Sequence, residues 1–466
     1  MTSWAPVLRP ASGPLYLALA EAIAEDVGHG RLKTGDRLPT HRDLADRLGV
    51  TVGTVSRGYA EAARRGLLSG EVGRGTFVRG PAAEYEIART SAEMGQAPGF
   101  VDLGVNHPPS PPSEPHGRAL ARALAALAVR PDLARLLDYP PEGGQPSHRE
   151  AGAEWLRRTG LRCGADQVLV CGGSQHGLLS ALATLLEPGD LLLTEGLTYA
   201  GLKAAASVLR LRLHGLPLDA HGVVPESLEA ACRRGGVKAL YCVPTIQNPT
   251  CSVMPVERRR ALADIARAHG VTIVEDDVHA RLAADAPLPI QTLAPERTVY
   301  VTSTSKTLAP GLRVGFVCAP PALVGRVATA IRATTWAAPP LMGEVVAGWI
   351  ADGTAESLLE ERRREAALRQ EKARAALGHA RYVAHPSSYH LWLELPAGWR
   401  SESFSASARR RGVGVTPAES FLIEGTAPGA VRLCLGGARS RAAVDLGLLR
   451  VAETLASAPD EGLAVV

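Results

Sequence analysis

No two of the seven cysteines, Cys163, Cys171, Cys232, Cys242, Cys251, Cys318 and Cys434, form a C-x-x-C pair or alternate with histidine. This spacing suggests neither a metal site nor a disulfide framework. Nowhere does the chain sustain the uninterrupted apolar length of a membrane helix, and its first residues lack the apolar core of a signal peptide. A cytoplasmic protein with no membrane partner is the expectation. Excess charge is also nearly lacking, since the formal net charge of the 466 residues is +4.

That charge is unevenly placed. Residues 31–79 carry ten Arg or Lys against five Asp or Glu, a net of +5, so the positive excess lies at the front of the chain. A basic stretch is often only a solvated face, but it is also what a phosphate-facing surface needs. Local patterns support the second reading. Apolar residues from Pro14 to Val27 recur at the spacing of one helix face. Thr40, with Asp43 three residues on, can cap a second helix that runs to the turn at Gly49. Thr51 or Thr54 then opens a third helix, which Gly66 ends. Leu67–Ser69 and Gly75–Val78, joined through Gly70 and Gly73-Arg74, suggest a two-stranded wing. Helix, short turn and helix is the arrangement that sets its second helix in the major groove.

The chain exceeds one ordinary domain, and its 46% apolar content suffices for sizeable cores. The Pro-rich stretch between Gly80 and Pro115, with prolines at 81, 98, 108, 109, 111 and 112, reads as a partly stiff linker with a short strand at Val101 to Gly104. The boundaries read as a DNA-binding module over 1–79, a linker over 80–100 and a body over 101–466. A smaller C-terminal part of the body begins near residue 350. The mixed charges of Glu356 to Arg374 suggest the solvated face of a long helix leading into it.

Within the body, Ser303-Thr304-Ser305-Lys306-Thr307-Leu308-Ala309-Pro310-Gly311-Leu312-Arg313 follows the apolar stretch Thr298 to Val301. A lone lysine is usually solvated, but a strand end is where open α/β sheets place their ligands. Lys306 can form a Schiff base with the aldehyde of pyridoxal 5′-phosphate (PLP), and Ser303, Ser305 and Arg313 can hold the phosphate. Asp276 ends the strand Val271–Glu275 and can pair with the pyridinium nitrogen, while Asn248, in Gln247-Asn248-Pro249-Thr250, offers an amide to the phenolate oxygen. Gly172-Gly173-Ser174-Gln175 lies between a strand and an apolar helix, so its amides and the Ser174 and Gln175 side chains can face a phosphate.

An Asn-Pro turn, a strand-end Asp and a Ser-x-Ser-Lys run, in that order, resemble fold-type I aminotransferases over residues 101 to 460. The resemblance implies that Tyr199 stacks on the pyridine and that Arg432, a lone charge in the apolar run Val431–Leu435, clamps a substrate α-carboxylate. An ordinary strand-end tyrosine and a structural ion pair are the alternatives. Two positions depart from the pattern. His279 stands where many members have a tyrosine that donates to the phenolate, and its charge can change near neutral pH. Cys251 replaces the glycine after Asn-Pro-Thr and demands a less permissive turn.

Gly35-Asp36-Arg37-Leu38-Pro39-Thr40-His41-Arg42-Asp43-Leu44-Ala45 and Gly73-Arg74-Gly75-Thr76-Phe77-Val78 resemble the winged helix of GntR-type regulators. This likeness implies groove-facing roles for Arg42, Thr51, Thr54 and Arg57, with Arg74 on the wing. A winged helix linked to an aminotransferase body is the organisation of the MocR subfamily. It implies a head-to-tail homodimer, an operator with repeated half-sites, PLP as cofactor and an amine or amino acid as effector. An active aminotransferase with a tethered DNA-binding domain remains the alternative, because the same residues would serve its half-reactions.

Overall fold

The computed structural model describes residues 4–6, 14–28, 31–32, 36–64, 67–71, 75–78 and 99–458. The chain divides into two compact units, Met1–Glu86 and Ile87–Val466.

In the front unit the helices are Leu15–Gly28, His41–Leu48 and Val52–Arg64. Their apolar faces meet in a core containing Leu19, Ile23, Leu44, Val55, Tyr59 and Ala62. The Thr40 hydroxyl accepts the Asp43 N–H at 3.2 Å, as the capping pattern predicts. Gly49 ends the second helix at φ 65°, a left-handed conformation that suits glycine. Thr51 rather than Thr54 opens the third helix, since its hydroxyl accepts the Thr54 N–H at 3.2 Å. Gly58 permits close packing of the first and third helices: a Cβ there would lie 2.6 Å from Leu19 Cδ2. Strands Leu68–Glu71 and Gly75–Val78 pair antiparallel, with Leu68 opposite Val78 in the same core.

The body is built on a seven-stranded sheet. Its strands lie in the order Val168–Cys171, Gly315–Cys318, Thr298–Ser303, Thr272–Asp276, Val237–Cys242, Leu191–Glu195 and Arg212–Leu216. All neighbours are parallel except Gly315–Cys318, which runs antiparallel to both of its own. Both faces are covered. Val168 and Val170 join Trp155, Leu156 and Val345 in one core, whereas Leu169 and Cys171 join Leu178, Leu182 and Val327 in another. The period-two alternation of a pleated strand therefore feeds two layers, and its sequence reads as a continuous apolar run.

A second, four-stranded sheet lies in the order Tyr382–Ala384, His390–Glu394, Ala430–Cys434 and Thr416–Pro417. Helices Ser401–Arg410 and Arg441–Ala456 pack with it in a separate core, which includes Phe404, Leu433 and Leu448. Val101 and Leu103 belong to this C-terminal core. The strand expected at 101–104 is only Val101–Asp102, and it pairs parallel with Val413–Gly414.

The long helix spans Thr354–Leu377, but the reading of its charges as a solvated face needs correction: Arg362, Glu365 and Arg369 are buried. Glu365 receives Arg369 Nε at 2.8 Å and Arg441 Nη2 at 2.7 Å, and Arg362 Nη2 donates to the Leu308 carbonyl at 2.9 Å. These partners, one on the same helix and the others from other elements, make burial of the charges tolerable. No described helix is long and apolar enough to cross a membrane.

Candidate functional site

The ends of five strands of the large sheet with their following loops, and one strand of the C-terminal sheet, bring polar side chains together. Gly173 precedes the helix Ser174–Leu185 at φ 95°. A Cβ on it would lie 2.6 Å from Nη2 of Arg313, whose guanidinium donates to the Gly172 carbonyl at 2.6 Å. This joins an exposed cation to the N-terminus of a helix, where unpaired amides and the helix dipole favour an anion. Ser303 is buried at the end of its strand, and its hydroxyl accepts the Ser305 N–H at 3.3 Å. Gln175 Nε2 donates to Gly201 O at 2.9 Å. The half-buried Tyr199 ring closes on the same glycine, where a Cβ would lie 2.3 Å from ring carbons.

Asp276 lies in the centre of the sheet. Its Oδ2 accepts the Tyr241 hydroxyl at 2.7 Å, while its buried Oδ1 has no hydrogen-bond partner. Burial pushes this carboxyl up to about 6, against the Tyr241 hydrogen bond and the nearby Lys306 charge. Lys306 Nζ donates to the Asn106 carbonyl, and the Lys306 carbonyl accepts the Tyr389 hydroxyl at 2.7 Å. A buried acceptor lacking a donor, close to a lysine and a helix N-terminus, fits a cofactor that carries a protonated ring nitrogen and a phosphate.

Arg432 is buried, as its place in an apolar strand predicts, and is partnered by more than one group. Nη1 donates to Asn248 Oδ1 at 2.7 Å and Nη2 to Gly104 O at 2.8 Å, and the guanidinium lies 4.6 Å from the Phe421 ring centroid. Asn248 precedes a cis Pro249. Cys251 adopts φ 62°, so the substitution for glycine leaves a side chain in the left-handed region. Its thiol donates to the His390 carbonyl at 3.1 Å.

His279 is buried with neither ring nitrogen hydrogen-bonded. The expectation that its charge can change near neutrality is corrected by this setting. Burial, then His390 and Lys306, hold it well below the usual histidine range, so it is neutral at physiological pH. Its ring centroid is 5.7 Å from that of His390.

Several supporting residues were not found from sequence. Tyr241 could have been suspected as a hydroxyl within an apolar strand ahead of the Asn-Pro turn. Asn106, Tyr389 and His390 gave no signal, because they reach the site through tertiary packing. Glu195 also escaped notice; fully buried, it accepts Val243 N–H at 3.1 Å and Gln247 Nε2 at 3.0 Å, and burial raises it to about 8.

In the front unit Arg42, Thr51 and Arg57 are exposed and Thr54 is half-buried, with the two threonine hydroxyls 2.9 Å apart. The turn Gly49–Thr51 separates the helix bearing Arg42 from that bearing Thr54 and Arg57. Arg74 lies outside the described residues.

Residues 98–448 match the family model for aminotransferase class I and II, and residues 15–78 match that for bacterial regulatory proteins of the gntR family. A relative along nearly the full length is the uncharacterized HTH-type transcriptional regulator YdeF of Bacillus subtilis, 31% identical over 96% of each chain. The probable rhizopine catabolism regulatory protein MocR of Rhizobium meliloti is 29% identical, covering 78% of this chain and 77% of its own. Among solved structures, alpha-aminoadipate aminotransferase from Thermus thermophilus, complexed with N-(5′-phosphopyridoxyl)-L-leucine, superposes with a TM-score of 0.68. It is 26% identical, covering 80% of this chain and 97% of its own. PLP is therefore the cofactor of the fold that the body shares. With a GntR winged helix ahead of an aminotransferase class I and II body, the chain belongs to the MocR-type transcriptional regulators of the GntR family.

Proposed function

We propose that this chain is a cytoplasmic homodimeric regulator that holds PLP at Lys306 and alters operator binding when an amine or amino acid reaches the same site. The observation that carries the reading is Asp276 Oδ1, a buried acceptor without a donor near the Lys306 charge. Asp276 would face the ring nitrogen, with Tyr241 fixing its other oxygen. His279, as a neutral ring, and Asn248 would donate to the phenolate oxygen, and Tyr199 would stack on the ring. Arg313, Ser303, Ser305 and the Ser174-Gln175 helix start would hold the phosphate. When bound, the group supplies an aldehyde and an electron-withdrawing ring. Arg432 would bind the effector's carboxylate by a bidentate pair.

Arg42, Thr51, Thr54, Arg57 and Arg74 would meet DNA. A head-to-tail dimer presents two winged helices, which calls for two repeated half-sites whose helical phasing matters. Gel-shift titrations on DNA flanking the protein's own gene, with and without PLP and each of the common amino acids, test the proposal. Operator affinity should change with PLP or with one amino acid in its presence. The competing enzyme reading draws on the full set of Lys306, Asp276, Asn248 and Arg432. Steady turnover of an amino acid and a keto acid at about 1 s⁻¹ or faster, as in ordinary enzymes, with no change in operator affinity, would establish it instead.

A further inference from the structure

A second group of cations lines a cavity of about 440 Å³ in the body and shares no residue with the set around Lys306 and Asp276. Arg158, just past the helix Pro146–Arg157, lines it together with Arg281, Arg363 and one carboxylate, Glu356. Arg158 Nη1 donates to Glu356 Oε1 at 2.6 Å, and Arg281 Nη2 donates to the same oxygen. The Arg281 side chain is only 7% exposed, and its guanidinium lies 4.4 Å from the Trp155 ring centroid. Its Nη1 is buried without a hydrogen-bond partner. Burial, with the like charges of Arg158 and Arg363, holds Arg281 below the usual arginine range against the pull of Glu356. Arg363 donates to the Arg281 carbonyl at 2.6 Å and to the Leu282 carbonyl at 3.1 Å, so the third cation fixes the turn that carries the second.

The lining thus carries three positive charges against one negative. Neighbouring carboxylates have other partners: Glu154 also serves Arg157 at 2.7 Å, and Asp285 pairs with His385 at 3.7 Å, while Glu360 reaches Arg363 only at 3.5 Å. Glu356 stands in the first turn of Thr354–Leu377, where the helix dipole adds to the positive field. It is 41% exposed, so it does not seal the cavity. The wall supplied by segment 280–289 is otherwise alanine and proline, which leaves room and offers no aromatic face.

We propose that this cavity binds a compact polyanion, a small molecule with two or more carboxylate or phosphate groups, one entering between Arg158 and Arg281 in competition with Glu356 and another meeting Arg363. The planar fork of a guanidinium matches either oxyanion. Size agrees, since small-molecule sites run from about 300 to 1,000 Å³. More than one acidic group is called for because Glu356 alone leaves the cations in excess. Repulsion among three guanidiniums is costly where one of them is as buried as Arg281, and a polyanion offsets it. The site stands independently of the regulator reading.

Calorimetric titration of citrate and, separately, of pyrophosphate into the full-length, PLP-loaded protein tests this, with PLP filling the phosphate site near Arg313. Binding of either supports the site, and the tighter probe tells carboxylate from phosphate. Acetate, with one acidic group, should bind about tenfold or more weakly than citrate, as the loss of a hydrogen bond between charged groups implies. Arg158→Gln, at a side chain 29% exposed, should keep the wild-type thermal transition. It should weaken the tighter probe by about tenfold or more for the same reason. Glu356→Gln should instead tighten that probe severalfold, because the competing carboxylate is gone; a purely structural ion pair gives no such gain. Failure of both probes to bind would overturn the proposal. So would wild-type affinity in Arg158→Gln, which would place the polyanion on the basic front unit, or a Glu356→Gln protein that binds no more tightly than the wild type.

Discussion

The two units expose their chemistry in opposite ways. In the front unit Arg42, Thr51 and Arg57 lie on the surface of a small apolar core. In the body Asp276, His279 and Arg432 are buried among strands and loops. A surface that reads a polyanion needs charges in water at the correct spacing, and the helices beneath them only fix that spacing. A site that reads a small molecule gains from groups withheld from water, because a buried group without its partner is costly until a ligand supplies one. Substitutions in the front unit should therefore act through salt-dependent surface contacts, and those in the body through specific partners.

The sharpest division comes from removing residues 1–79. The truncated chain should lose operator binding altogether and still take up PLP; retained operator binding would break the assignment of DNA recognition to the front unit. Next in size is Asp276→Ala, which should weaken PLP binding by about 1.5–3 kcal/mol, the range for hydrogen bonds to charged groups. That corresponds to roughly 10- to 150-fold in dissociation constant. The carboxyl is raised to about 6, and its ionised form is the one that pairs with a protonated ring nitrogen. PLP affinity in the wild type should thus hold above that pH and fall as pH drops through it. Asp276→Asn should flatten this part of the profile, and an identical slope in both proteins would move the titration elsewhere.

Much of this contrast was legible in the sequence. Capping at Thr40, the turn at Gly49 and the wing were readable because each is a local pattern with a local cause. Lys306, Asp276 and Asn248 were readable as polar residues at the ends of apolar runs. The neutrality of His279 was not, since it arises from burial by tertiary packing and then from His390 and Lys306, which are distant in sequence. The buried Glu365–Arg369 pair, which the exposed Arg441 joins, escaped for the same reason: helical spacing places charges on a face without saying what packs against it.

Smaller effects should follow in the front unit. Arg57→Ala should cost about 1–3 kcal/mol of operator binding if Arg57 reads a guanine edge, with relaxed preference at one base pair. If it touches only phosphate, the loss should be uniform across sequences, with a shallower salt dependence. Thr40→Ala should remove about 1 kcal/mol of stability by uncapping the second helix. Thermal unfolding should register that loss in the front unit, while the body's PLP affinity stays unchanged.

The central claim is that ligand information enters through Lys306, and it is most directly tested by operator affinity of wild-type and Lys306→Ala protein with and without PLP. The account predicts that PLP changes the affinity of the wild type and leaves that of a folded, dimeric Lys306→Ala protein unmoved. A variant that shifts by the same factor as the wild type would contradict it.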